Sequence, residues 1–235
     1  MREKSFAFPK IKESNSQSGD FFKTFFRNRK NNIYGWGPSQ AYPPGIEIFQ
    51  QDTPANNVYF IERGLVKLSC LESGGRSVII SLRRSNWLLG APATLLERPY
   101  AFTATTLSPC YLLTIPATIF LRLVKINKEF YWHLLRMLSK IIYDRGTKAI
   151  ALGIIPAKER LKKILYEMIL EQEQTELEGP IQLHLPLAYS ELAQLIAVTP
   201  EHLCRLLKEM EKQGIIKRNK GLVVIKKPSI LLQVP

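Results

Sequence analysis

Apolar positions along this chain change their period twice, and each change marks a different kind of element. From Ile46 onward they come in short runs with turn residues between them: Glu47-Ile48-Phe49, Val58-Tyr59-Phe60-Ile61, Leu65-Val66-Lys67-Leu68, then residues 77–82 and 110–115. Gly64 separates two of these runs, and Gly74-Gly75 supplies a hairpin turn between two others. Short strands at this spacing predict an antiparallel sandwich or barrel. Near Asn127 the period becomes helical. Leu135, Leu138, Ile142, Ala149 and Leu152 recur in alternating steps of three and four, with Arg145 filling the one polar step. That is the spacing of a coiled-coil seam, and a single core helix would explain the stripe equally well. A helix of about 25 residues following a β domain favours dimerisation, although Gly146 and Arg145 weaken the seam locally. Pro156 breaks it. Residues 157–172 then carry Leu161, Ile164, Leu165, Met168 and Ile169 on one helical face, residues 171–178 form an acidic loop, and residues 181–185 form a short strand.

Residues 185–224 compress two short amphipathic helices and a hairpin into one stretch. In the first helix Leu192, Leu195 and Ile196 fall at helical spacing, and Glu191 complements the dipole of the first turn. Thr199 is placed to N-cap the second helix, with Pro200 at its first position and Glu201 in its first turn. Leu203, Leu206, Leu207 and Met210 make the buried stripe, which turns Glu201, His202, Arg205 and Lys208 outward. Gly214 ends the helix, Ile215-Ile216 begin a strand, and residues 217–221 predict a turn into Leu222. This is the pattern of a helix-turn-helix with a wing, whose second helix enters the DNA major groove. An ordinary helical hairpin is the alternative. Arg205, Lys208, Lys212, Lys217, Arg218, Lys220, Lys226 and Lys227 argue for DNA, because a basic stripe is what phosphate neutralisation requires.

The charge of the whole chain points the same way. A net +13 on 235 residues, with a pI near 9.7, favours a polyanionic partner: nucleic acid first, an anionic membrane second. The length suffices for two domains, each with its own core. No apolar run reaches the roughly 18 residues of a bilayer span, and no signal-peptide core follows Met1-Arg2-Glu3-Lys4, so an intracellular location is expected. Cys70, Cys110 and Cys204 form no CxxC pair. They are expected to be small buried hydrophobes in a reducing compartment, with no metal site. Residues 1–35 are polar and basic, with Lys23, Arg27, Arg29 and Lys30, and are expected to be largely disordered. Phe21-Phe22 and Phe25-Phe26 could make a short helix that packs on the folded domain, or serve a basic-aromatic nucleic-acid arm.

The order of β domain, long helix and winged helix-turn-helix, together with local motifs, resembles the cyclic-AMP receptor/fumarate-nitrate-reductase regulator (Crp/Fnr) family of transcription factors over residues 45–225. The motifs are Asp52-Thr53-Pro54-Ala55-Asn56-Asn57-Val58-Tyr59-Phe60-Ile61-Glu62-Arg63-Gly64-Leu65-Val66-Lys67-Leu68, Leu89-Gly90, Leu95-Leu96-Glu97-Arg98-Pro99-Tyr100, Ala157-Lys158-Glu159-Arg160-Leu161 and Thr199-Pro200-Glu201-His202-Leu203-Cys204-Arg205. Wording within residues 58–68 is also similar to the cyanobacterial nitrogen-control branch. The resemblance implies an α+β fold. A basic extension spans residues 1–35, a cupin-like β-roll sensor of the cyclic-nucleotide-binding type 36–126, a dimerisation helix 127–153, and a winged helix-turn-helix 154–235. It implies a homodimer on double-stranded DNA carrying an inverted repeat, working in the bacterial cytoplasm, or in the plastid stroma for an organelle-encoded chain. RNA polymerase is the further partner of an activator, and no membrane is involved.

The same resemblance assigns base contacts to Glu201 and Arg205, with Thr199, His202, Lys208, Lys217, Arg218 and Lys220 beside them. The chemistry agrees, since Arg bonds guanine O6/N7 bidentately and Glu accepts from cytosine N4. Three departures stand out. Pro200 occupies a position where some members carry a base-contacting Arg. Ala188 stands where Ser or Thr caps the first helix of the motif. Ala197 stands where Gly makes its turn, so the backbone there is expected to be strained. The effector segment comprises Gly90, Ala91, Arg98, Tyr100, Ala101 and Phe102. Ala91 and Ala101-Phe102 stand where cyclic-nucleotide binders place a Glu and an Arg-Ser pair. Cyclic AMP is therefore not expected to bind, and an unidentified small-molecule effector is the alternative, with Arg98 as an anion ligand or a solvated loop residue. No iron-sulfur cysteine set is present, and His133, His184 and His202 lack haem-ligand spacing. A sensing module whose helix-turn-helix makes only protein contacts is the competing function. An enzyme is not expected, because no nucleophile-base pair or phosphate-binding loop occurs.

Overall fold

The computed structural model describes residues 15–28, 35–171, 179–219 and 222–232. Within the segment expected to be largely disordered, α1 (Asn15–Arg27) is a helix packed on the folded domain, as the paired phenylalanines allowed for residues 21–26 but longer, which corrects the expectation of disorder for residues 15–27. Its cause is the spacing of four phenylalanines. Phe22, Phe25 and Phe26 fall on one face and are buried, while Phe21 lies at its margin. Residues 1–14 and 29–34 lie outside the described residues.

The β region folds as two four-stranded antiparallel sheets. The first runs β1 (Ser39–Tyr42), β8 (Cys110–Pro116), β3 (Asn57–Arg63), β6 (Trp87–Leu89), and the second runs β2 (Glu47–Phe49), β7 (Thr103–Thr106), β4 (Val66–Leu71), β5 (Ser77–Arg83). Ile61, Val66, Leu89, Ala104, Cys110 and Leu112 close the space between them. Gly64 makes the passage from β3 to β4 possible. Its φ is 104°, and a Cβ there would stand 2.5 Å from Cys110 Sγ and 2.6 Å from the Pro109 carbonyl. Of the three cysteines only Cys110 is buried; Cys70 and Cys204 are half-buried, so the expectation of three buried thiols is corrected. Cys70 pairs across the sheet with Val78 near the β4–β5 hairpin, and Cys204 lies on the flank of a helix facing neither core nor open solvent.

A short helix α2 (Ala91–Leu95) follows β6, and α3 (Ala117–Ile126) leads into α4 (Lys128–Ile154). Asn127 breaks the two apart with an extended backbone, and its side chain accepts from the Phe130 N–H at 2.9 Å, capping α4. Phe130, Leu134 and Met137 bury one face of α4 against α1 and the first sheet, in an aromatic cluster with Phe22, Phe25, Phe26, Phe60 and Phe120. Another face is uncovered. Tyr131, Trp132, Leu135, Ile142 and Tyr143 are between 39% and 74% exposed. Leu138 departs from the predicted stripe, since it packs partly against the Phe130 cluster, and Trp132 and Tyr143 join the open face instead. Ala149 and Leu152 lie within the helix, with side chains outside the described set.

The C-terminal region consists of α5 (Ala157–Glu171), β9 (Ile181–His184), α6 (Tyr189–Leu195), α7 (Pro200–Lys212), β10 (Ile216–Asn219), β11 (Leu222–Ile225) and a closing 3-10 turn. The three strands form one antiparallel sheet in the order β10-β11-β9. Leu161, Leu165, Met168 and Ile169 of α5 meet Leu192, Ile196, Leu203, Leu207 and Met210 in a single core. That core reaches the roll. Ile79 of β5, the outer strand of its sheet, is buried in it, its N–H donates to Gln194 Oε1 at 2.9 Å, and Lys67 pairs with Glu191.

Candidate nucleic-acid interface

Helix α7 begins where its sequence dictates. Thr199 has extended φ/ψ and its Oγ1 accepts from the His202 N–H at 3.2 Å, with Pro200 at the first helical position. Leu203, Leu206, Leu207 and Met210 face the core, so the 3.6-residue period carries Glu201, Arg205 and Lys208 to the exposed side, with His202 and Cys204 at the margins. Hydrogen bonds from its own backbone, then from the Thr199 side chain, hold the Glu201 carboxyl below the usual carboxylate range, with a smaller pull from Arg205 one turn on. Glu201 is therefore a pure acceptor at neutral pH and Arg205 a fork of donors, side by side on one face.

The turn between α6 and α7 is tight because the chain enters the left-handed region at Ala197, where φ is 52°. The Ala197 N–H donates to Gln194 O at 3.1 Å and the Val198 N–H to Ala193 O at 3.0 Å, which satisfies carbonyls at the end of α6. An alanine in that region costs about 1–2 kcal/mol relative to glycine's free access. Ala197→Gly is accordingly expected to raise stability by about 1 kcal/mol. Its denaturation midpoint should rise at unchanged slope; an unchanged or lower midpoint would show that the turn is not strained. At the other end of α6, Ala188 has no side-chain acceptor, and only half of a capping box remains: Glu191 Oε2 accepts from the Ala188 N–H at 3.0 Å.

The wing differs from its prediction. Lys217, Arg218 and Asn219 belong to β10, not to a turn, in register with Val224, Val223 and Leu222. The strand is masked in the sequence because its basic and polar residues carry no apolar alternation to mark it. The two residues between the strands, Lys220 and Gly221, lie outside the described residues. Lys217 is exposed. Arg218 is committed elsewhere: its Nη2 donates to Glu211 Oε2 at 2.6 Å and its N–H to Glu211 Oε1 at 2.9 Å, tying the wing to α7. The same bonds hold the Glu211 carboxyl below its ordinary range. Arg218 thus braces the wing against α7.

The effector segment is divided by the fold. Gly90 (φ 80°) precedes α2, and a Cβ on it would lie 2.8 Å from the Tyr100 ring. Ala91 and Tyr100 are buried. Tyr100 stacks on Phe49 at 3.9 Å, Phe49 on Tyr59 at 5.8 Å, and the Tyr100 hydroxyl donates to Asn57 O. Burial pushes the Tyr100 phenol up to about 12, so it stays a neutral donor. Arg98 and Ala101 are exposed and Phe102 is half-buried, so the six residues differ in burial. Arg98 instead lines an open cleft of about 310 Å³ with Pro54, Asn56, Thr94, Glu97 and Leu121. The buried polar side chains described in the roll are Ser69, Thr94 and Thr106, none of them cationic.

The histidines are dispersed: His133 stacks on Phe21 at 4.0 Å, His184 is exposed on β9, and His202 flanks α7. Among the described residues no cluster of three or more His, Cys, Asp or Glu could hold a metal. No helix among them is long and apolar enough to cross a membrane.

A roll of two four-stranded sheets, a long helix and a capped recognition helix with a wing define a DNA-binding transcriptional regulator. Residues 39–127 match the cyclic nucleotide-binding domain and residues 159–234 the Crp-like helix-turn-helix domain. The global nitrogen regulator of Nostoc sp. (strain PCC 7120) is 26% identical over 209 residues, covering 85% of this chain and 93% of the relative. In fold, the chain is similar to a CRP/FNR-family transcriptional regulator of Thermus thermophilus, with TM-score 0.69, 19% identity, and coverage of 83% and 97% of the two chains. It is similar also to the c-di-GMP-responsive global regulator CLP of Xanthomonas campestris, with TM-score 0.66, 20% identity, and coverage of 89% and 98%. The chain belongs to the Crp/Fnr family of regulators.

Proposed function

We propose that this protein acts as a homodimer that reads an inverted-repeat operator in double-stranded DNA, with Glu201 and Arg205 contacting base edges. The observation that carries this reading is the exposed face of α7, where an ionised Glu201 and Arg205 stand one helical turn apart on a capped, rigidly packed helix. Thr199, His202 and Lys208 flank them, and Lys217 and Lys220 of the wing supply phosphate contacts. The open apolar face of α4, with Trp132, Leu135, Ile142 and Tyr143, supports pairing of two copies. Two recognition helices would then meet successive major grooves.

Input comes through the roll. An effector other than cyclic AMP fits the residues: the interior around Gly90, Ala91 and Tyr100 is filled by an aromatic stack, and a cyclic phosphate would find no buried cation among the residues described there. The nitrogen regulator and CLP are global regulators by name, so RNA polymerase is the further partner if this protein activates, and the cytoplasm is its compartment. Selecting bound sequences from a random duplex library tests the reading directly. An enriched palindrome supports it; a helix-turn-helix that makes only protein contacts would enrich none.

A further inference from the structure

The first turn of α5 breaks a rule that its neighbours obey. Cations are unfavourable near a helix N-terminus, yet Lys158 and Arg160 lie there beside Glu159. Their heads explain the exception, because each reaches the end of another helix. Arg160 Nη1 donates to Ile155 O at 2.6 Å, the carbonyl just past the end of α4. Its Nε donates to Ile196 O at 2.9 Å, the carbonyl that ends α6 and immediately precedes the strained Ala197. Lys158 Nζ donates to Glu209 Oε1 and Gln213 Oε1, both at 2.7 Å, at the end of α7. One guanidinium thus satisfies orphan carbonyls at the negative ends of two helices, and Lys158 secures the third.

From this geometry we infer that Arg160 is a positioning residue for DNA reading: its guanidinium bridge fixes the helix-turn-helix turn against the end of α4. Residues Ile155 and Pro156 form the joint between the long helix α4 and α5, the first helix of the DNA-reading unit. The unit is also held to the roll, where Ile79 enters its core, the Ile79 N–H donates to Gln194 and Lys67 pairs with Glu191. Those contacts fasten α6, and the Arg160 fork fastens the α6–α7 turn to the end of α4, while the core of Leu161, Leu165, Leu192, Leu203 and Leu207 does not involve Arg160. With Ile155 O and Ile196 O held on one planar fork, the direction of α7 relative to α4 is set. In a dimer that direction becomes the distance and phase between two recognition helices. Arg160 therefore governs which half-site spacing is read, and not which bases are read.

This inference rests on the dimeric DNA-reading proposal, and its test separates the two. Binding of the full-length protein is measured on the selected inverted repeat, on the same repeat with its spacer lengthened or shortened by one base pair, and on a duplex with a single half-site. Each added base pair rotates the half-sites by about 34°, so the wild type is expected to prefer its own spacing by about tenfold or more. Arg160→Met keeps the stem and removes every donor. It should flatten the preference to within about threefold while single-half-site affinity stays within about twofold of wild type. Arg160→Lys keeps the charge without the fork and should resemble the Met variant, which also decides the matter if Arg160→Met does not fold. Variants that retain the wild-type spacing preference, or a Lys variant indistinguishable from wild type, would overturn the positioning role. A wild type that binds no inverted repeat would instead refute the operator reading itself.

Discussion

Leu135→Asp combined with Ile142→Asp is expected to leave a folded monomer that has lost at least about a hundredfold in affinity for an inverted repeat, because two linked reading heads gain roughly 10²–10⁴ over one. The two side chains are 39% and 74% exposed on α4, so replacing them removes no intramolecular core contact. In a dimer they would face a second copy together with Trp132 and Tyr143, and four carboxylates brought into an apolar seam would be desolvated without partners. Sedimentation should give the monomer mass at micromolar concentration, and circular dichroism should match the wild type. Single-half-site binding should be nearly unchanged. A variant that remains dimeric would place the association surface elsewhere, with Ile46, Leu71, Leu96, Tyr111 and Ile126 among the exposed apolar positions to test.

Arg205→Ala is the second large effect. The side chain is exposed and alanine favours helices, so the loss should fall on recognition and not on folding. Removing a bidentate contact to a base edge costs about 1–3 kcal/mol, roughly 5- to 150-fold in affinity, and relaxes discrimination at one position of each half-site. Lys217→Ala is the matched control. It should weaken binding to all sequences alike and reduce the salt slope by about one, because a phosphate contact carries no base information. Competition against single-base operator variants distinguishes these outcomes. If Arg205→Ala retained full discrimination, the base-reading role would have to pass to other residues on α7.

Much of this architecture was legible because burial in these elements follows a strict period. The strands β2, β3, β4, β5 and β8, the capped start at Thr199, the core stripe of α7 and the helical stop at Gly214 are all encoded locally, whereas the short β1, β6 and β7 carry no apolar run long enough to mark them. So was the left-handed Ala197, whose strain follows from a missing glycine in a turn that needs one. What escaped the sequence depends on partners distant in the chain. Arg218 reads as one more cation of a basic wing, and only the fold brings Glu211 under it. Leu138 fits the heptad spacing of α4, but α1 and the first sheet cover that side, which rotates the open face toward Trp132 and Tyr143. The paired phenylalanines allowed a short helix over residues 21–26, but its extension to residues 15–27 was not legible in a polar, basic segment, because its stability comes from contacts with Phe60 and Phe130 and not from its own composition. Arg160 carried no signal beyond its place in a helix start where a cation is unfavourable, and that local misfit is the kind of inconsistency that marks a functional position.

The effector segment shows the opposite limit. Substitutions at Ala91 and Ala101-Phe102 were visible as missing ligands, but nothing local announced that Phe49, Tyr59 and Tyr100 would stack in the interior. Arg98 lies on the outer cleft, apart from Gly90 and Ala91.

The central claim is that α7 reads sequence in a symmetric pair, and selection from a random duplex library at about 0.15 M salt, where non-specific binding is weak, tests it most directly. The purified full-length protein is expected to enrich an inverted repeat whose half-site centres lie about one turn apart, roughly 10–10.5 base pairs. Heparin should compete less well than that duplex. Recovery of no consensus, with duplex and heparin bound equally, would contradict the claim and leave the helix-turn-helix as a surface for protein contacts.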